Sequence, residues 1–203
     1  MHKHLLFLYN DLKEGVSMKL YCQLDYKHIS YPSPISVNGN IADNGCGVCC
    51  VSMIVEEILG ISFDVETCAK FSKQSGAREG FGTNMAILSS AIADAFKIEV
   101  IPTFDTKEVL QFLLDKKGYV IANTIGDRED WIGVFSDARH YIVLCDAYDT
   151  TVGVLDPLYQ EGRYDKEGRK GKVQMVGNVA YADFSVVEND CMGKCYYLFK
   201  KIV

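Results

Sequence analysis

Asp43-Asn44-Gly45-Cys46-Gly47-Val48-Cys49-Cys50 decides the reading of this chain, because it runs straight into an apolar segment that ends near Gly60. Val48, Val51, Ile54, Val55, Ile58 and Leu59 recur with a period near 3.6, which predicts a helix over residues 47–59 stopped by Gly60. A helix start carries a partial positive charge and unpaired backbone N–H groups, and both favour an anion. A cysteine set there between two glycines is placed to be a reactive thiolate, with a pKa well below the free value of roughly 8.5. Glycines at 45 and 47 are expected to leave the sulfur approachable and to let the backbone come close to a bound carbonyl. The chain therefore reads first as an enzyme with a cysteine nucleophile.

Towards the N-terminus of that motif, the chain from Lys19 reads as a short strand or extended entry. A loop through Tyr31-Pro32-Ser33-Pro34 follows, then a turn at Asn38-Gly39-Asn40. Towards the C-terminus, a second helix is expected over 65–74 behind Asp64 as N-cap, and a glycine-rich loop over 76–82. A third helix starts near Asn84, a short strand covers 98–101, and Asp105-Thr106-Lys107-Glu108 is a capping box opening a helix through Leu114. The pattern then changes to β-prone runs over 119–123, 140–148 and 151–155, with Asp149-Thr150 as the turn between the last two. A final helix over 182–189 and a strand over 195–200 close the chain. Helices first and strands afterwards indicate an α+β domain with N-terminal helices packed on an antiparallel sheet.

The 203 residues suit one domain with a core of its own. A formal net charge of −6 argues against nucleic acid or an anionic membrane as the main partner, since such partners recruit a clustered basic surface. The one basic run, 163–172, is diluted by Asp165 and Glu167 and reads as a solvated hairpin or loop. No apolar run approaches the ~20 residues needed to span a bilayer, and the five apolar residues after His4 are too few for a signal peptide. A cytoplasmic protein with eight reduced thiols is the resulting expectation. Residues 1–17 are expected to form a leader outside the fold. Codons for Lys13-Glu14-Gly15-Val16 can spell a ribosome-binding sequence, so Met18 is read as the natural first residue, with 18–203 as the domain.

Thiol chemistry on an acyl group needs a base beside the nucleophile, a group that orients the base, and donors for the oxyanion. In chain order the candidates are Gln23, Cys46, His140 and Asp156. His140 opens the apolar strand Tyr141-Ile142-Val143-Leu144-Cys145, which puts an imidazole on the rim of a sheet; its bland alternative is a structural histidine satisfied by backbone groups. Asp156 follows the strand Val152-Gly153-Val154-Leu155, so a hairpin of the two strands brings carboxylate and imidazole to one rim. Asp-Pro is also a common turn opener. Gln23 can donate its amide to an oxyanion, or be an ordinary surface glutamine. Trp131 and the acidic loop 126–130 can line a cleft beside His140 or form a solvated surface loop.

Gln23, Gly45-Cys46-Gly47, His140-Tyr141-Ile142-Val143-Leu144 and Asp156-Pro157 together resemble the papain-like cysteine peptidases of family thirty-nine. These are the bacterial enzymes that process bacteriocin leaders, and the stand-alone relatives of that domain are the nearer likeness. The resemblance runs from Tyr21 to about Leu158, and Gly82-Thr83 before a helix fits the family's middle section. It implies a papain-like fold, Cys46 as nucleophile, His140 as general base and acid, Asp156 as orienting group and Gln23 as oxyanion donor. It also implies a peptide or other acyl substrate cleaved through a thioester, with no metal or organic cofactor. Where relatives carry small residues after Gly-Cys-Gly, this chain has Val48-Cys49-Cys50. An acyltransferase using the same residues and a non-catalytic binding module are the alternative functions. Cys46-Gly47-Val48-Cys49 with Cys191 and Cys195 could also supply four thiolates to zinc, although the spacing of the second pair is poor for it. Cys49, Cys50, Cys68 and Cys145 read as small core hydrophobes.

Overall fold

Asn40 begins the helical half of the molecule. Its side chain accepts the Asp43 N–H and opens α1 (Ile41–Asn44), a single turn. Gly45 then resets the backbone and α2 (Cys46–Leu59) follows at once. A Cβ on Gly45 would stand 2.5 Å from Ile41 Cγ2 and 2.6 Å from Ile41 O, so only glycine lets the two helices abut. Gly60, at φ 65°, ends α2 in the left-handed region and donates its N–H to the Glu56 carbonyl. The structure, a computed structural model, describes residues 18–202; the leader expected over 1–17 lies outside the described residues.

The expected cap of the next helix forms: Asp64 accepts the Thr67 N–H at the start of α3 (Val65–Gln74). The expected glycine-rich loop is instead a tight antiparallel hairpin of β1 (Arg78–Glu79) and β2 (Gly82–Thr83). A buried guanidinium holds it: Arg78 Nε donates to the Tyr31 carbonyl at 2.8 Å and Nη1 to the carbonyls of Glu79, Gly80 and Gly82. Asn84 accepts the Ile87 N–H to cap α4 (Met85–Ala95). After β3 (Ile98–Thr103), Asp105 accepts the N–H groups of Lys107 and Glu108 and starts α5 (Thr106–Leu114). Upstream, the entry expected as strand contains a short 3-10 turn, Gln23–Tyr26.

Six further strands and one helix complete the chain: β4 (Tyr119–Thr124), β5 (His140–Tyr148), β6 (Thr151–Leu155), β7 (Val173–Val176), β8 (Val179–Asp183), α6 (Phe184–Cys191) and β9 (Tyr196–Lys201). Seven strands form one antiparallel sheet in the order β3-β9-β4-β5-β6-β8-β7. The β7–β8 hairpin was not expected, because β7 is a half-buried edge strand without clear alternation. It also corrects the start of the final helix: Ala182 and Asp183 belong to β8, and Asp183 caps α6 by accepting the Ser185 N–H.

Alternate residues of the sheet feed two cores. Ile121, Val143, Leu155, Tyr197 and Phe199 pack with α2, α3 and α4 on one face. Val120, Ile142, Leu144, Val154 and Leu198 pack on the other with Val109 and Phe112 of α5 and Val187 of α6. Burial on both sides is why β5 reads as an unbroken apolar run rather than an alternating one. The architecture is α+β as expected, with two helices, α5 and α6, covering the second face. Among the described residues no helix is long and apolar enough to cross a membrane.

Candidate active site

Cys46 is the first residue of α2 and is half-exposed, whereas Cys49 and Cys50 on the next turn are fully buried. Gly45, as N-cap, offers no side chain to the first-turn N–H groups, which leaves them to the sulfur and to whatever binds beside it. Gly47 serves packing as much as access: a Cβ there would meet Thr83 Cβ at 3.0 Å and Met85 Cε at 3.1 Å. The glycine pair around the thiol therefore fits the helix start between α1 on one side and β2 with α4 on the other.

β5 and β6 form the expected hairpin, with Val143 opposite Leu155. Continuing that register places Asp156 beside Ile142, on the same side of the sheet as His140 two residues away. The imidazole Nε2 and Asp156 Oδ1 are 2.7 Å apart, and both side chains are almost fully buried. That bond occupies Nε2 and leaves Nδ1 for Cys46, whose thiol lies near enough to the ring for each to shift the other's pKa. The structure thus brings together Cys46, His140 and Asp156 from three separate elements. Gln23 joins them from the 3-10 turn: it lines the same groove, is buried, and its Nε2 donates to the Ala42 carbonyl at 2.6 Å. Its Oε1 is buried without a partner.

Burial pushes the Cys46 thiol up, yet the His140 hydrogen bond and charge, with the N–H groups of Tyr141 and Gly47, outweigh it and bring it below the ordinary value. Burial likewise opposes the imidazolium of His140, but Asp156 and Cys46 raise its pKa to about 9. Asp156 is also opposed by burial, and His140, Arg163 and the Leu158 N–H hold it below the carboxylate range. Thiolate, imidazolium and carboxylate therefore stabilise one another. The other two half-exposed thiols behave oppositely, since burial raises both Cys22 and Cys195.

Cys46, His140 and Gln23 line a groove of about 940 Å³, with Asp156 buried behind them. Its walls are the α1–α2 junction with Gln23, the β1–β2 hairpin from Glu79 to Thr83, and the segment from Ser136 to Tyr141. Trp131 and the acidic loop 126–130 are not among the lining residues. Trp131 instead donates its Nε1–H to Asp190 at 2.7 Å, and the Lys172 ammonium lies 3.8 Å from its ring centre.

The basic run read as solvated is a correction with consequences. Arg163 Nε donates to Asp156 Oδ2 at 3.0 Å and Tyr164 Oη to the same oxygen at 2.8 Å. Arg169, almost fully buried, donates from Nε to the Gly133 carbonyl and pairs with Asp137. The only sequence signal was alternation of charge with Tyr164 inside the run, which local periodicity does not distinguish from a solvated loop. The cysteine cluster does not converge: Cys49 lies in one core and Cys191 in the core across the sheet. The four thiols therefore do not frame a zinc site.

No known family profile and no curated protein matches the sequence. Among solved structures, the chain is similar to the peptidase domain of Streptococcus ComA, a bi-functional ABC transporter involved in a quorum-sensing pathway. Identity is 13%, over 77% of this chain and 91% of that one, with a TM-score of 0.53. It is also similar to a C39-like peptidase from Bacillus anthracis, at 15% identity over 79% of this chain and 90% of that one, again with a TM-score of 0.53. The chain has the papain-like fold of C39 cysteine peptidase domains, as the resemblance in its motifs implied.

Proposed function

We propose that the chain is a cysteine-type hydrolase that cleaves a peptide or related acyl bond. The observation that carries this is the buried relay of Asp156 Oδ1 and His140 Nε2 at 2.7 Å, behind a half-exposed Cys46 at a helix start. The thiolate attacks the carbonyl carbon, and the developing oxyanion is held by first-turn N–H groups of α2 and by the second amide hydrogen of Gln23, the first being engaged by Ala42. Collapse breaks the C–N bond as His140 gives its proton to the leaving amine, leaving a thioester on Cys46. His140 then takes a proton from water, the hydroxide adds to the thioester, and the acid product leaves as thiolate and imidazolium are restored. Asp156 keeps the ring in the orientation that points Nδ1 at the sulfur.

Iodoacetamide labelling near pH 6, mapped by mass spectrometry, tests the reading. Cys46 is expected to react at least tenfold faster than Cys22 and Cys195, and to lose that advantage in His140→Ala. Labelling of Cys46 no faster than those two thiols overturns it and favours a non-catalytic module. Hydrolysis of an activated acyl ester is expected to fall as pH rises through about 9, where the imidazolium with its raised pKa loses the proton it must deliver. Acyl transfer to an added amine in preference to water would reassign the chemistry to a transferase.

A further inference from the structure

The segment between β6 and β7 holds two side chains that reach back to the carboxylate of the relay. Asp156 is a buried acceptor with four donors: His140 Nε2 and the Leu158 N–H on Oδ1, and Arg163 Nε and Tyr164 Oη on Oδ2. Arg163 does more than pair with it, because its Nη2 donates to the Phe135 carbonyl at 2.5 Å. Phe135 belongs to the segment that leads into His140, so one guanidinium ties the chain before the histidine to the aspartate after β6. The Tyr164 ring meets the Phe135 ring edge-on at 5.9 Å and supports the same junction.

The geometry points to Arg163 and Tyr164 as positioning residues of the thiol site: together they fix the orientation and the charge of Asp156, and through it the imidazole that serves Cys46. This rests on the hydrolase reading above. The physical argument is one of competition. A carboxylate has a limited set of lone pairs, and each donor on Oδ2 draws electron density away from the bond that Oδ1 makes to the imidazole. The charged and titratable groups that bear on Asp156 are His140 from β5, Arg163 and Tyr164 from the connecting segment, and, through charge alone, the thiols of Cys22 before the 3-10 turn and Cys50 on α2. Arg163 is the cation among them besides the imidazolium. Without it the carboxylate attracts the ring proton more strongly and the thiolate loses a nearby positive charge, so both His140 and Cys46 release their protons at higher pH.

NMR titration of the His140 ring, together with the pH dependence of Cys46 alkylation, reads this without a known substrate. Arg163→Gln is expected to move both midpoints up by roughly half to one pH unit and to slow alkylation at pH 6 several-fold. Tyr164→Phe keeps the ring contact with Phe135, removes only the Oη donor, and moves both midpoints in the same direction by less. Arg163→Lys keeps the charge and is expected to bring the midpoints back towards the wild-type values. Lys166→Ala, an exposed neighbour in the same segment, leaves them where they are. A merely structural role lowers the melting temperature of the Arg163 and Tyr164 variants while leaving both midpoints in place, and that result overturns the proposal. If the wild-type Cys46 still labels selectively and depends on His140, only the positioning role falls. If it does not, the hydrolase reading falls with it.

Discussion

Two aspartates are equally buried in this molecule and are put to different uses. Asp156 accepts from His140, Leu158, Arg163 and Tyr164. Asp190, on α6, accepts from Trp131 Nε1 and from the N–H groups of Val134 and Phe135. Every donor on Asp190 is neutral and keeps its proton across the working pH range. Two of the donors on Asp156 are cationic groups, and one of those, His140, titrates at about 9. Burial therefore does not distinguish the carboxylate proposed for the thiol site from a structural one; the chemistry of the donors does. Asp190 anchors the loop that leads to His140, and Asp156 sets the state of His140 itself.

Separating the two carboxylates by mutation gives effects of different kinds. Asp156→Asn is expected to lower hydrolysis of an activated acyl ester by about 10²–10⁴, with a two-state melt retained; a loss of less than tenfold would remove Asp156 from the relay. Asp190→Ala leaves three donors without an acceptor, at ~1–3 kcal/mol each. A net loss of about 3–5 kcal/mol of stability is expected, seen as a melting temperature lower by roughly 10 °C. Per folded molecule, its Cys46 alkylation at pH 6 should match the wild type, and a large change there would merge the roles of the two aspartates. The smallest effect is expected from Trp131→Phe, which removes one donor from Asp190 and leaves two. Its cost is about 1 kcal/mol, measurable by urea denaturation, and no change in labelling selectivity should accompany it.

The convergence of Cys46, His140 and Asp156 was legible in the sequence because each of them stands at a local boundary. Cys46 marks where a 3.6-residue period begins, His140 where an apolar strand opens, and Asp156 where the next strand stops. Those boundaries are set by backbone preferences and burial within a few residues, which local patterns record. The supporting shell is written differently. Arg163, Tyr164 and Arg169 sit in an irregular segment with glycines at positive φ at 162, 168 and 171, and their partners are Asp156, Phe135 and Gly133 in other parts of the chain. A charged residue that becomes buried through distant partners has the same local signature as one facing solvent. Asp190, one residue past the helix expected over 182–189, carries no local signal for the same reason, although its side chain is wholly enclosed. The β1–β2 hairpin likewise depends on Arg78 reaching Tyr31.

Residues 47 to 55, the nine positions of α2 that follow Cys46, are all buried. The sulfur is thus mounted on a post driven through the middle of the molecule, and shifting it by an ångström would mean unseating the whole first core. The opposite bank is built of lighter material: Glu79 and Phe81 at the hairpin tip stand exposed, with glycines on either side of the phenylalanine. One wall of the groove is thus held by burial along nine residues, and the other by hydrogen bonds to the Arg78 guanidinium.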